Sequence, residues 1–121
     1  MDYLNASPPV LRDYLVYLET ILGRSPNTVN EYYLDLRTFF RFLLQKRGLV
    51  SPPGLDFDAI PIDAVDLELL RSVTRADVLD FLVFAARQRP KYHTSPATTY
   101  GNDLKTRARK ISALRGLYKY Y

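Results

Sequence analysis

Residues 25–48 carry one unbroken helical pattern, and that run constrains the fold more than any other. Ser25 is a capping residue, and Pro26 follows it where a missing N–H is harmless. Val29, Tyr32, Tyr33, Leu36, Phe40 and Leu43 then recur at helical spacing to about Arg47, and Gly48 supplies a stop. A stripe this large and aromatic has to be covered, so the rest of the chain must supply elements to pack on it.

Those elements read as helices. A first covers residues 8–22, with Ser7 as its cap and Gly23 as its stop. Leu11, Leu15, Leu18 and Leu22 form its stripe, widened by Tyr14, Tyr17 and Ile21. Residues 49–61, with Pro52, Pro53, Gly54 and Pro61, read as a loop. Residues 62–72 are acidic and leucine-rich, with a short helix over 66–70. Thr74 caps a third helix with Asp77 in its first turn and Val78, Leu79, Leu82, Val83 and Ala86 as its apolar face; Pro90 ends it. A polar connector over 90–101 leads to a last helix, capped by Asn102 and running toward Tyr121. Its expected buried stripe is Leu104, Ala108, Ile111, Leu114, Tyr118 and Tyr121, while Lys105, Arg109, Ser112 and Gly116 fall on a small, basic side able to approach a phosphate backbone. No segment alternates long enough to signal a strand. The expected fold is all-α: a four-helix bundle with a short extra helix in the long connection over 49–73.

A length of 121 residues suits one domain spanning 1–121. The absence of cysteine excludes disulfides and thiolate chemistry. No apolar run reaches the roughly 18–20 residues of a membrane span, and the N-terminus lacks signal-peptide features. A cytoplasmic protein is expected. The net charge of +4 is unevenly spread. Residues 1–48 are near neutral, residues 49–86 hold seven acidic against two basic residues, and residues 87–121 hold nine basic against one acidic. Such segregation makes the C-terminal stretch a candidate polyanion-binding surface, with solvated helix surface as the plainer alternative.

Catalytic readings find little support. His93 is alone in a proline-flanked loop with no partner as a base. Neither Ser95 nor Ser112 sits in a nucleophile motif, and the five glycines form no phosphate-cradling loop. Asp56, Asp58, Asp63, Asp66 and Glu68 do not follow calcium-loop spacing and read as a solvated acidic stretch. None of the ten tyrosines has the basic cluster that would activate it. No metal or cofactor is expected. The strongest chemical signal is the last helix, where Lys105, Arg107, Arg109, Lys110, Arg115 and Lys119 interleave with apolar positions. The second is the start of the 25–48 helix, where Ser25, Asn27 and Thr28 lie beside free backbone N–H groups and Tyr32 adds a hydroxyl.

Two segments together resemble a known family. Ser25-Pro26-Asn27-Thr28-Val29-Asn30-Glu31-Tyr32-Tyr33-Leu34-Asp35-Leu36, followed by Phe39-Phe40-Arg41-Phe42-Leu43, is similar to the second helix of the N-terminal core-binding domain of tyrosine recombinases and phage integrases. The run Arg109-Lys110-Ile111-Ser112-Ala113-Leu114-Arg115-Gly116-Leu117-Tyr118-Lys119-Tyr120 resembles that domain's last helix. The resemblance is nearest the Xer-type branch. It implies a SAM-like bundle that grips one side of double-stranded DNA for recombination and integration. A C-terminal catalytic domain of the same parent chain would close the clamp, with other recombinase protomers assembled on the DNA. It places Thr28, Tyr32, Arg109 and Ser112 at the DNA; charge and geometry add Ser25, Asn27 and Lys105. Two features depart from the family pattern: a longer stretch from Val50 to Ser72, and Lys110 at a position that is apolar in many members. The family's catalytic arginines, lysine, histidines and tyrosine map nowhere on this chain, which is expected to be a non-catalytic excised domain. A helix-turn-helix regulator and a helical protein-interaction module remain the alternatives.

Overall fold

The computed structural model describes the backbone of residues 3–88 and 96–121 and the side chains of residues 5–87 and 105–121. In chain order the elements are α1 (Tyr3–Ala6), α2 (Pro9–Thr20), α3 (Pro26–Lys46), a 3-10 turn (Phe57–Ala59), α4 (Leu67–Arg71), α5 (Arg75–Gln88) and α6 (Pro96–Tyr120). Among the described residues the regular elements are all helices, without strands. The four long helices are the four expected ones, and α4 is the short helix of the connection.

Helix α3 is the hub, packed by α2, α5, α6 and the 3-10 turn. Its Val29, Tyr33, Leu36, Phe39, Phe40 and Leu43 are almost wholly buried. They meet Leu11, Tyr14, Leu15 and Leu18 of α2, Phe81 of α5 and Leu117 of α6 in one core. Aromatic rings carry that core sideways: Phe39 meets Phe81 edge-on at 5.1 Å, Phe42 meets Phe84 at 5.0 Å, and Phe84 meets Phe57 at 5.1 Å. The start of α5 is fastened to the end of α3. Thr74 and Asp77 exchange capping hydrogen bonds, the Asp77 N–H donating to Thr74 Oγ1 at 3.2 Å and the Thr74 N–H to Asp77 Oδ2 at 2.9 Å. Lys46 Nζ and Arg47 Nη2 also reach the Asp77 carboxylate, at 2.7 and 2.9 Å.

Several boundaries and faces differ from the sequence expectation. Helix α6 begins at Pro96, so Asn102 lies inside it rather than at its start. Ser95-Pro96 repeats the Ser25-Pro26 start signal, which is the cue that places the true beginning. Pro8, not Ser7, holds the cap position of α2, without a side-chain cap bond, because a second proline, Pro9, opens the helix. On α5, Phe81 rather than Leu79 and Val83 faces the core; those two are 54% and 52% exposed. On α6 the buried residues are Ala113, Leu114 and Leu117, while Ala108 is exposed. The helix is rolled relative to the expected stripe, and Gly116 turns to α2, where an added Cβ would collide with the Tyr14 hydroxyl. Gly116 is thus a packing glycine against α2. Pro90, His93 and the first half of the connector lie outside the described residues, as does the Leu104 side chain.

Candidate nucleic-acid interface

The beginning of α3 is built as its sequence requires. Ser25 has extended backbone and is the cap, its Oγ accepting from the Thr28 N–H at 3.2 Å and donating to Thr28 Oγ1 at 3.0 Å. Ser25 and Asn27 are exposed, and Thr28 and Tyr32 are half-buried. The two hydroxyls therefore serve each other first, and of the first-turn N–H groups that of Thr28 is taken by Ser25 Oγ and that of Val29 by the Ser25 carbonyl.

One turn further along, α3 meets α6 through charge. Asp35 is 4% exposed and would be costly to bury alone. Arg109 answers it with two hydrogen bonds, Nε to Oδ2 at 2.7 Å and Nη2 to Oδ1 at 3.0 Å. Lys110 Nζ adds a third, to Oδ1 at 2.8 Å. This contact explains the lysine at position 110, where the resemblance leads one to expect an apolar side chain: it is the second counter-charge for a buried carboxylate. The remaining nitrogen of Arg109, Nη1, lies 3.6 Å from Glu31 Oε2 on the exposed rim. The hydrogen bonds from Arg109 to Asp35 hold the guanidinium pKa above its ordinary value. Arg109, read from sequence as a cation turned to DNA, thus has one edge of its guanidinium, Nε and Nη2, engaged inside the protein.

The outward face of α6 carries other cations. At about 100° per residue, Lys105, Ser112, Arg115 and Lys119 share an arc of about 80°, and all four are exposed. Among the described residues no carboxylate lies within ion-pair distance of Lys105, Arg115 or Lys119. All three cations belong to the basic signal of the last helix, but of these four residues the sequence reading places only Lys105 and Ser112 at the DNA. The signal that finds Arg115 and Lys119 is the true roll of the helix, which the buried Ala113 and Leu117 define. Glu31 and Asp35 were also missed as site residues, although both stand in the α3 run that carries the family pattern.

Three of the described tyrosines have raised pKa values. Burial pushes Tyr14, Tyr118 and Tyr121 up to about 12. Tyr118 donates its hydroxyl to the Leu70 carbonyl at 2.8 Å, and Tyr121 to the Val10 carbonyl at 2.5 Å. These groups tie α6 to α4 and α2.

Comparison with known proteins gives a consistent set of relatives. The chain is 42% identical over 113 residues to tyrosine recombinase XerC of Caldanaerobacter subterraneus subsp. tengcongensis, covering 93% of this chain and 29% of that protein. It is 34% identical over 113 residues to tyrosine recombinase XerS of Lactococcus lactis subsp. cremoris strain MG1363, with the same coverage of 93% and 29%. A further XerS, from Lactococcus lactis subsp. lactis, is 34% identical over 96 residues, or 79% of this chain and 24% of that protein. The chain therefore spans under a third of the length of the curated relatives it matches. No protein-family model matches it, and no solved structure gives a significant match.

Proposed function

The chain is a relative of the Xer-type tyrosine recombinases along 93% of its length, and on that premise we propose that it is their non-catalytic core-binding domain, a SAM-like bundle that grips duplex DNA during site-specific recombination. The observation that carries the reading is the exposed face of α6, where Lys105, Arg115 and Lys119 stand beside Ser112 with no carboxylate partner among the described residues. Cations placed in this way neutralise backbone phosphates and release counterions. Asn27 and the first turn of α3, with Ser25, Thr28 and Tyr32, add polar donors at a helix N-terminus. Arg109 serves as the bridge that locks α3 and α6 into one surface, with its Nη1 edge nearest the DNA.

The test is a salt titration of affinity for duplex DNA, read by fluorescence anisotropy. Affinity is expected to fall linearly on logarithmic axes, and replacing Lys105, Arg115 and Lys119 together by alanine should flatten the slope by about 3, at roughly 0.9 per phosphate contact. Affinity indifferent to both salt and these substitutions would refute the reading.

The helix-turn-helix alternative would rest on α4 and α5, which are joined through Ser72, Val73 and Thr74. The exposed side of α5 carries Leu79 and Val83 beside Arg75 and Arg87, and its Asp80 is paired with Lys46 of α3, so two large apolar residues stand where a base-reading helix needs polar donors. That apolar face suits contact with protein instead, and the partners expected on DNA are the catalytic part of the parent recombinase and neighbouring protomers.

A further inference from the structure

The seam between α3 and α6 contains two cations, Arg109 and Lys110, and two carboxylates, Asp35 and Glu31. It is formally neutral at the point where the sequence pattern concentrates its predicted DNA contacts. The two carboxylates differ in kind. Asp35 is buried, makes short hydrogen bonds and holds the helices together. Glu31 has a side chain 52% exposed, and its 3.6 Å approach to Arg109 Nη1 is too long for a strong hydrogen bond. It contributes little to holding the fold, as exposed pairs do. Yet it stands one helical turn from Asn27 and Thr28 and adjacent in sequence to Tyr32, among the groups expected to meet phosphates.

We propose that Glu31 is a specificity-determining residue of this interface, a counter-charge at the outward edge of Arg109 that weakens binding to polyanions met indiscriminately. The proposal rests on the DNA-binding reading above. A phosphate approaching Arg109 Nη1 has to displace Glu31 or bear its repulsion, so a generic phosphate backbone gains less from this arginine than from Lys105, Arg115 or Lys119. The seam thereby withholds its strongest hydrogen-bonding cation from contacts that charge alone would drive.

The experiment compares the wild-type chain with Glu31→Gln, which keeps the shape and the ability to accept a hydrogen bond but removes the charge. Glu68→Gln on α4 serves as a control with the same change in net charge. Each is titrated at low salt against a random-sequence duplex and against heparin, which has no bases. Glu31→Gln is expected to bind both about three- to tenfold more tightly than wild type, with the gain shrinking as salt rises, and Glu68→Gln to change little. An effect equal to the control, a loss of affinity, or a gain on DNA without one on heparin would each overturn the proposal. These outcomes leave the DNA-binding reading standing as long as wild-type affinity falls with salt and with loss of the α6 cations. If wild type shows neither dependence, both ideas fall together.

Discussion

Asp77 is held by Lys46, by Arg47 and by the cap of α5, and its hydrogen bond from Lys46, followed by that from the Thr74 backbone, keeps the carboxyl well below the usual carboxylate range. A group depressed in this way stabilises the fold fully above its unfolded-state pKa, near 4, and loses that contribution as pH falls below it. Asp77→Asn is expected to cost about 1–3 kcal/mol near neutral pH and to reduce the loss of stability between about pH 5 and pH 2, both read from urea unfolding at a series of pH values. Gly116 makes a different kind of single-residue demand. Alanine is favoured in a helix interior by about 1 kcal/mol, but here its methyl meets the buried Tyr14 hydroxyl. Gly116→Ala should be net destabilising by about 1–2 kcal/mol, an overpacking effect, and the penalty should shrink in a Tyr14→Phe background. A double-mutant cycle measures that coupling.

Between elements, two of the interfaces on α3 differ in what dominates them. Helices α3 and α6 share a nearly dry carboxylate with two cations, and removing the acid strands both of them. Asp35→Ala is therefore expected to cost about 3–5 kcal/mol by chemical denaturation, the usual result of breaking a buried pair from one side. Helices α3 and α5 are joined by rings, and at one end by the ion pairs of Lys46 and Arg47 with Asp77. Phe81→Ala should cost about 3–5 kcal/mol, whereas Leu79→Ser on the uncovered side should stay within about 0.5 kcal/mol. A large cost at Leu79 would show that this side of α5 is covered after all. The two sides of α5 look alike in sequence, because Leu79 and Val83 have the same spacing as a core stripe; the aromatic chain through Phe39, Phe42 and Phe57 decides which side is buried.

For the whole molecule, the decisive quantity is how much of a recombinase this chain represents. It covers 29% of the matched XerC, and the described tyrosines with raised pKa values spend their hydroxyls on packing or carbonyl contacts. Incubated with supercoiled plasmid, the chain is expected to leave the DNA uncut. Fusion to a catalytic partner domain is expected to raise DNA affinity by about 10²–10⁴-fold through effective concentration; both are read by gel electrophoresis. Among the described residues no helix is long and apolar enough to cross a membrane.

Local rules were enough to determine the helical class, the extent of α3, the caps at Ser25 and Thr74, and the family likeness, because each depends on residues within a turn or two of one another. The roll of α6, the buried side of α5 and the engagement of Arg109 were decided only in three dimensions. They depend on partners far apart in the chain: Arg109 lies 74 residues from Asp35, and Gly116 faces Tyr14 across the bundle. A basic helix announces its charge in its own sequence. Which of its cations are spent inside the protein depends on the carboxylates that folding brings beside them.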